Sequence, residues 1–445
     1  MQVPGVTEGG VRGRVGVIPD ARGPLRRLTA VNGRGDRRGP GDWGIDMTDL
    51  TRAAGRRWAL LAAAGALVAG GIAPAAAAGA GQRDAGLPRA HDTTQAALDA
   101  IVAEGTPGAL AAVRDGRARW RGDAGVADLA TGEPRRDRDR FRVGSLTKTF
   151  TATVVLQLDA EGVLSLDDTV ERWLPGVVHG NGNDGRRITV RRLLDHTSGI
   201  FNYNRDGGFL ARFTGESFLD HRYDGATPEE LVGIGLSHPP LFEPGTGWAY
   251  SDTNYILAGM VIERATGDDY ASQVRQRILR PLHLRATSVP GTSAAVPRPH
   301  GRHYSRLYEE DPNAPVYDVT EFDPSVAGSA GQVISSTRDL NRFYAALLGG
   351  RLLPREQLRE MLTTVPIEAE ESGTGGAPAA AYGLGIRSDL LSCGVTVWGH
   401  GGQVPGSLTR AAATRDGRHV LTLNRNGDWG AQEGENAVLE AEFCG

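Results

Sequence analysis

Lysine is almost missing from this chain of 445 residues: of 49 basic residues, 48 are arginine and one, Lys148, is lysine. Arginine holds its proton in proteins, whereas a desolvated lysine can lose it near neutral pH, so position 148 is the single place where a lysine base can operate. Cysteine is scarce too. Cys393 and Cys444 exclude a disulfide-rich scaffold and a thiolate zinc site but leave room for one bridge. Neither G-x-S-x-G nor H-E-x-x-H occurs, and there is no Gly-Lys pair for a phosphate-binding loop. The nearest approach to a metal pair, His300-x-x-His303, sits in a Pro/Arg-rich stretch with no third ligand beside it and reads as a solvated loop.

Apolar residues make up 40% of the chain, enough to bury a large core. The net charge is −4, unevenly spread. The first 78 residues hold 11 Arg against 6 acidic residues, so the remainder carries −9 and no basic cluster, which excludes nucleic acid as a partner. Residues 1–46, with 11 Gly, 8 Arg and no apolar period, read as a disordered or mis-assigned upstream segment. From Met47 a short basic region (Arg52, Arg56, Arg57) precedes an uncharged run from Trp58 to Ala73, and Ala76-Ala77-Ala78-Gly79 suits a signal peptidase. Residues 47–78 are therefore expected to be a secretory signal, with Arg56-Arg57 hinting at twin-arginine export. An uncleaved anchor is the alternative, but the run is short for a span. The expectation is a secreted protein of residues 79–445 with no membrane span after cleavage. In an oxidising compartment Cys393 and Cys444 would pair and tie the C-terminal helix to a strand.

The body reads as α/β. Asp92 and Gln95 have capping-box spacing before an apolar face of Leu98, Ile101 and Val102. Ala109–Val113 and Ala118–Arg121 flank the turn pair Asp115-Gly116, and Arg114-Asp115-Gly116-Arg117 returns near the C-terminus as Arg415-Asp416-Gly417-Arg418. Val395–Trp398, Ala411–Thr414 and Val420–Leu423 read as strands and Gln432–Phe443 as a last helix. Helical patterns at Phe150–Ala160, Glu229–Leu236, Tyr255–Thr266 and Leu340–Leu348 fill the middle. The expected architecture is an antiparallel sheet flanked by helices and built from both termini, with an inserted helical subdomain.

Three clusters could carry chemistry. In Val143-Gly144-Ser145-Leu146-Thr147-Lys148 a strand runs into a helix start at Ser145, and the i, i+3 spacing puts Ser145 and the only lysine on one helical face. Read blandly, this is a helix cap followed by a surface lysine. The second cluster, Pro244-Gly245-Thr246-Gly247-Trp248-Ala249-Tyr250-Ser251-Asp252, leads into a helix and could aim a Tyr250 oxygen at Ser145, or simply cap the helix. The third, Trp398-Gly399-His400-Gly401-Gly402-Gln403, ends a strand with glycines that let a substrate backbone approach and a histidine that offers a donor or a charge, or else a plain strand terminus.

Together the clusters resemble the serine penicillin-recognising enzymes related to β-lactamases, which carry S-x-x-K, then Y-x-N or S-x-N, then a Lys- or His-led triad ending in glycine. Ile188-Thr189-Val190 through Leu193-Leu194-Asp195-His196-Thr197-Ser198-Gly199, and Tyr382-Gly383-Leu384-Gly385, agree with it. A His-led third motif and the pair Ser392-Cys393-Gly394 and Phe443-Cys444-Gly445 look most like secreted actinomycete D-alanyl-D-alanine carboxypeptidases. The resemblance implies a nucleophilic Ser145, Lys148 with Tyr250 removing its proton, and an oxyanion hole from the Ser145 and Gln403 N–H groups. It further implies that Tyr250, assisted by His400, protonates the leaving amine. Arg387 would bind the terminal carboxylate, and Asp252, Gly401 and Gly402 would line the substrate. The implied substrate is a peptide ending in D-Ala-D-Ala, with β-lactams as inhibitors and no metal or organic cofactor. Two positions depart from the pattern: Asp252 replaces an amide donor, and Gly401 removes a hydroxyl. Both leave room for an esterase or a D-amino-acid amidase of the same fold, or for a non-catalytic binder of cell-wall peptides. His196 reads as packing or turn-capping.

Overall fold

The two Arg-Asp-Gly-Arg turns close the ends of neighbouring hairpins in one sheet. The computed structural model describes residues 91–309, 311, 313–367, 380–429 and 433–445. The expected upstream segment 1–46 and signal 47–78 lie outside the described residues. β1 (Gly108–Asp115) and β2 (Ala118–Gly125) form the first hairpin, with Asp115 opposite Ala118. The later strands are β3 (Val365–Pro366), β4 (Ala380–Tyr382), β5 (Arg387–Leu390), β6 (Thr396–Val404), β7 (Ser407–Ala413) and β8 (His419–Arg425). Their antiparallel order is β2-β1-β8-β7-β6-β5-β4-β3, so strands from the two ends of the sequence, β1 and β8, pair inside the sheet, with Ala109 opposite Arg425.

Strand β1 is buried on both faces because helices cover both. Ala109, Ala111 and Val113 pack with Leu421 and Leu423 against the terminal helices α1 (Asp92–Ala103) and α5 (Glu433–Phe443), through Leu98, Ile101, Val438 and Leu439. Leu110, Ala411, Ala413 and Val420 face the larger core of the inserted region, which includes α2 (Thr147–Ala160), α3 (Asp252–Thr266) and α4 (Thr337–Leu348). Among the described residues no helix is long and apolar enough to cross a membrane.

Two local expectations are corrected. The Asp92/Gln95 capping box does not form: α1 starts from a left-handed His91 with no side-chain cap, and Gln95 donates to Asp99 and to the Asp123 carbonyl instead. A capping box does form at Thr227 and Glu230, where Thr227 caps the helix Pro228–Leu236. The nucleophile helix does not begin at Ser145 either. A 3₁₀ turn over Gly144–Leu146 comes first, and the α-helix starts at Thr147.

Cys393, in the β5–β6 turn, is bridged to Cys444 just past α5, with their Cα atoms 5.8 Å apart. The bridge closes 51 residues of sequence separation around the sheet's outer layer. Reducing it, or replacing both cysteines by alanine, should cost about 2–4 kcal/mol and lower the thermal unfolding midpoint with the catalytic machinery intact. Calorimetry with and without reductant checks this.

Candidate active site

Helix α2 reads poorly as an isolated helix, since Thr147, Thr149, Thr151 and Thr153 are β-branched. It forms because it is buried, with every one of these hydroxyls bonded. Thr147 donates to the Gly144 carbonyl, Thr149 to Gly385, Thr151 to Ser329 and Thr153 to Thr149, all at 2.7 Å. The turn ahead of it depends on Gly144, at φ +57°, where a Cβ would sit 2.6 Å from the Gln403 nitrogen. From the other side, a Cβ on Gly402 would lie 2.0 Å from the Val143 oxygen and 2.7 Å from the Ser145 nitrogen. Two glycines thus bring the edge of β6 against the nucleophile turn. Pairing of β5 with β6 ends at Gly399, so His400–Val404 carry no strand partner on that edge among the described residues. The Ser145 and Gln403 amides meet at this gap.

Lys148 is fully buried, and its Nζ has three partners: Ser145 Oγ at 3.0 Å, Asp252 Oδ1 at 2.5 Å and the Ala330 carbonyl at 3.0 Å. A neutral amine meets all three by donating to Asp252 and Ala330 and accepting the serine proton. Burial pushes its pKa below the ordinary lysine value, while the Asp252 carboxylate pulls it back up without prevailing. Asp252, the first residue of α3, is itself held: its N–H donates to Asn202 Oδ1 at 3.1 Å, and Asn204 Nδ2 donates to Oδ2. The substituted carboxylate therefore ties the lysine into the site instead of offering a donor to substrate.

Tyr250 lies over the same amine, with Lys148 Nζ 4.8 Å from its ring centroid. Burial and the Asp252 carboxylate raise its pKa well above 10, against an opposing hydrogen bond from Ser145, so it rests as a phenol. His400 is placed differently from the expectation that it assists Tyr250. Its Nε2 bonds the Tyr382 hydroxyl at 2.9 Å, its Nδ1 faces the Gly401 carbonyl at 2.5 Å, and its ring centroid is 6.5 Å from that of Tyr250. Burial, then the Lys148 cation, push its pKa down to about 3, so it is a neutral ring and not a charge.

Arg387 enters beside this cleft opposite Gly399, and it is clamped: Nε and Nη2 donate to Asp389 Oδ1 at 3.0 and 2.7 Å. Arg410 donates to the other oxygen of Asp389. Gly401 pairs with Arg410, whose Nη1 would lie 3.3 Å from a Cβ there, so the missing hydroxyl position borders a guanidinium. His303 is buried and not solvated as expected, with its backbone N–H on Thr320 Oγ1. Among the described residues only Cys393, Glu440 and Cys444 cluster like metal ligands, and those cysteines are bridged.

The fold therefore brings Ser145, Lys148, Tyr250, Asp252, Gly402 and Gln403 to one gap, with His400 and Arg387 on its border. Sequence reasoning gave no role to Tyr382, Asn204, Ala330 or Asp389. Tyr382 was visible in the Tyr-Gly-Leu-Gly signature, and Arg387-x-Asp389 has the period of one strand face. Asn204, in the 3₁₀ turn Tyr203–Arg205, and Ala330, in the short helix Gly328–Gly331, are brought in by tertiary structure alone.

Activity requires the neutral lysine, so kcat/KM should rise with pH through a pKa below 10.5. Asp252→Asn removes a contribution that raises this pKa and should move the rise to lower pH; a pH–rate profile of the variant checks the sign. Lys148→Arg keeps the charge without a usable base and should lose at least about 10²-fold in kcat.

The chain matches the beta-lactamase family over residues 94–442. It is 29% identical to penicillin-binding protein 4* of Bacillus subtilis (strain 168) over 343 residues, 75% of this chain and 71% of that one. A crystal structure of a D-stereospecific amidohydrolase from Streptomyces sp. superposes with a TM-score of 0.74 at 55% identity, covering 80% of this chain and 99% of that one. D-amino acid amidase from Ochrobactrum anthropi SV3 superposes with a TM-score of 0.68 at 29% identity, covering 80% and 98%. With its Ser-x-x-Lys turn, buried lysine and paired amides, the chain belongs to the beta-lactamase family and is a serine hydrolase of the fold shared with penicillin-binding proteins.

Proposed function

We propose that the protein is a D-stereospecific amidohydrolase that cleaves amides and short peptides of D-amino acids through an acyl-enzyme on Ser145. The clamped state of Arg387 carries this reading. A carboxypeptidase needs a cation presented to the terminal carboxylate, and here the Nε/Nη2 fork, the side that would grip a carboxylate with two parallel bonds, is already engaged by Asp389. Gly401 offers no hydroxyl in compensation. The likeness to the Streptomyces amidohydrolase supports the same choice.

Ser145 Oγ attacks the amide carbon as its proton passes to Lys148 Nζ, 3.0 Å away. The new oxyanion sits between the Ser145 and Gln403 N–H groups, each such donor worth about 3–4 kcal/mol to the transition state. The phenol of Tyr250 gives its hydrogen to the departing nitrogen as the C–N bond breaks, and is refilled from Lys148. Water, deprotonated along the same path, then attacks the ester and frees Ser145. His400 serves as a neutral wall fixed by Tyr382, since burial holds its pKa far below the ordinary histidine value. Penicillin acylates the same serine in this scheme. Work outside the cytoplasm is part of the proposal, and the Cys393–Cys444 bridge supports it.

The carboxypeptidase reading stays second because Arg387, even clamped, contributes positive potential to Tyr250 and His400. Ammonia release from D-alanine amide, compared with D-alanine release from an acylated D-Ala-D-Ala peptide, decides between them. The proposal expects the amide to have the higher kcat/KM, its L-enantiomer to be inert, and Ser145→Ala to abolish turnover. Preference for the acylated dipeptide would instead establish the carboxypeptidase, and no turnover of either would remove both.

A further inference from the structure

His196 holds the segment bearing Tyr250 from three sides. Its carbonyl accepts the Ala249 N–H at 3.1 Å and its ring Nδ1 accepts the Ser251 N–H at 3.2 Å, so the amides on both sides of Tyr250 end on one residue. Its ring also packs against the tyrosine ring, with centroids 4.4 Å apart and planes tilted by 38°. The Asn254 amide approaches the same Nδ1 at 3.3 Å. Because the backbone N–H can only donate, Nδ1 must be the acceptor and the ring proton lies on Nε2. That Nε2 is buried and without a hydrogen-bond partner among the described residues. Protonating Nδ1 would set it against two donors, and burial, followed by the Lys148 charge, keeps the ring neutral.

The placement of this ring is built into the chain. His196 adopts φ +64°, in a turn where the Thr197 N–H and Oγ1 both bond Asp195 Oδ1, at 3.0 and 2.6 Å. The Thr197 carbonyl then takes the Gly245 N–H at 2.8 Å, so the turn is a template for the glycine-containing loop that ends at Tyr250. Beyond Tyr250 the chain is held by the Ser251 hydroxyl on the Phe201 carbonyl at 3.3 Å and the Asp252 N–H on Asn202 Oδ1 at 3.1 Å. Ser251, the N-cap of α3, makes no side-chain cap.

We propose that His196 is a positioning residue for proton transfer, locking the Tyr250 hydroxyl within reach of Ser145 and Lys148 through its neutral Nδ1 acceptor. This rests on the proton-transfer role given to Tyr250 above. Transfer needs heavy atoms about 2.6–3.2 Å apart, and a displacement of about 1 Å costs on the order of 10² in rate. The unpartnered Nε2 is tolerated because the ring's work is done on its other side.

The test is a double-mutant cycle on the full chain, read as kcat and KM for the amide that the enzyme turns over and as the thermal unfolding midpoint. His196→Phe keeps a ring and removes the acceptor. His196→Asn restores an acceptor and tolerates a positive φ. Expected are a loss of about 10² in kcat for His196→Phe with KM within about threefold, and recovery of at least about tenfold in His196→Asn at a similar midpoint. In a Tyr250→Phe background, His196→Phe should cost under about threefold more. An equal cost with and without Tyr250, or no advantage of Asn over Phe, overturns the proposal. Should His196→Phe fail to give a cooperative transition, His196→Asn and His196→Gln run the same cycle. Retained activity in Tyr250→Phe alone would instead overturn the proton-transfer role, which keeps the two failures distinct.

Discussion

A single amine without water organises this molecule. Lys148 is buried from every side, and a buried cation is costly unless it is paired or discharged. The fold provides for both. Asp252 pairs the charged form, Ser145 and Ala330 accept its remaining hydrogens, and burial biases the balance toward the neutral amine. Much of the surrounding structure follows from keeping it there. Helix α2 survives its threonines because each hydroxyl is bonded, Thr149 and Thr151 to neighbouring segments, and α3 starts at the carboxylate that answers the lysine.

Around that amine the neutral groups matter as much as the charged one. Tyr250 stays a phenol and His196 and His400 stay neutral imidazoles, in each case chiefly because burial disfavours the charged form. In the proposed scheme one proton moves among Ser145, Lys148 and Tyr250, with neutral rings packed around them. At its border the charges are paired in a different way. Asp389 is shared by Arg387 and Arg410, which fixes both guanidiniums on the sheet.

Asp252 puts an acceptor where the sequence pattern has a donor, which in sequence left room for an esterase or amidase and offered a carboxylate partner to Lys148. In the fold it becomes a second anchor for the lysine, gripped in turn by Asn204 and by the N–H bond to Asn202. A carboxylate at the first position of a helix is also favoured by the helix dipole. Gly401 is similar: the absent side chain leaves the Arg410 guanidinium room beside the strand, as its 3.3 Å approach to a built Cβ shows.

By itself the sequence determined which residues are chemically singular and how the sheet is assembled. One lysine three residues after a serine, a glycine just before that serine, two matching turns and two cysteines are local or countable features, and local spacing survives folding. The nucleophile pair, the hairpins and the main helices were legible for that reason. Charge states and partners were not. Whether Lys148 is proton-poor, whether His400 meets Tyr250 or Tyr382, and whether Arg387 meets substrate or Asp389 depend on burial and on contacts between segments up to 182 residues apart. Only the tertiary structure sets the local dielectric and the neighbours, and these decide what the same side chains can do.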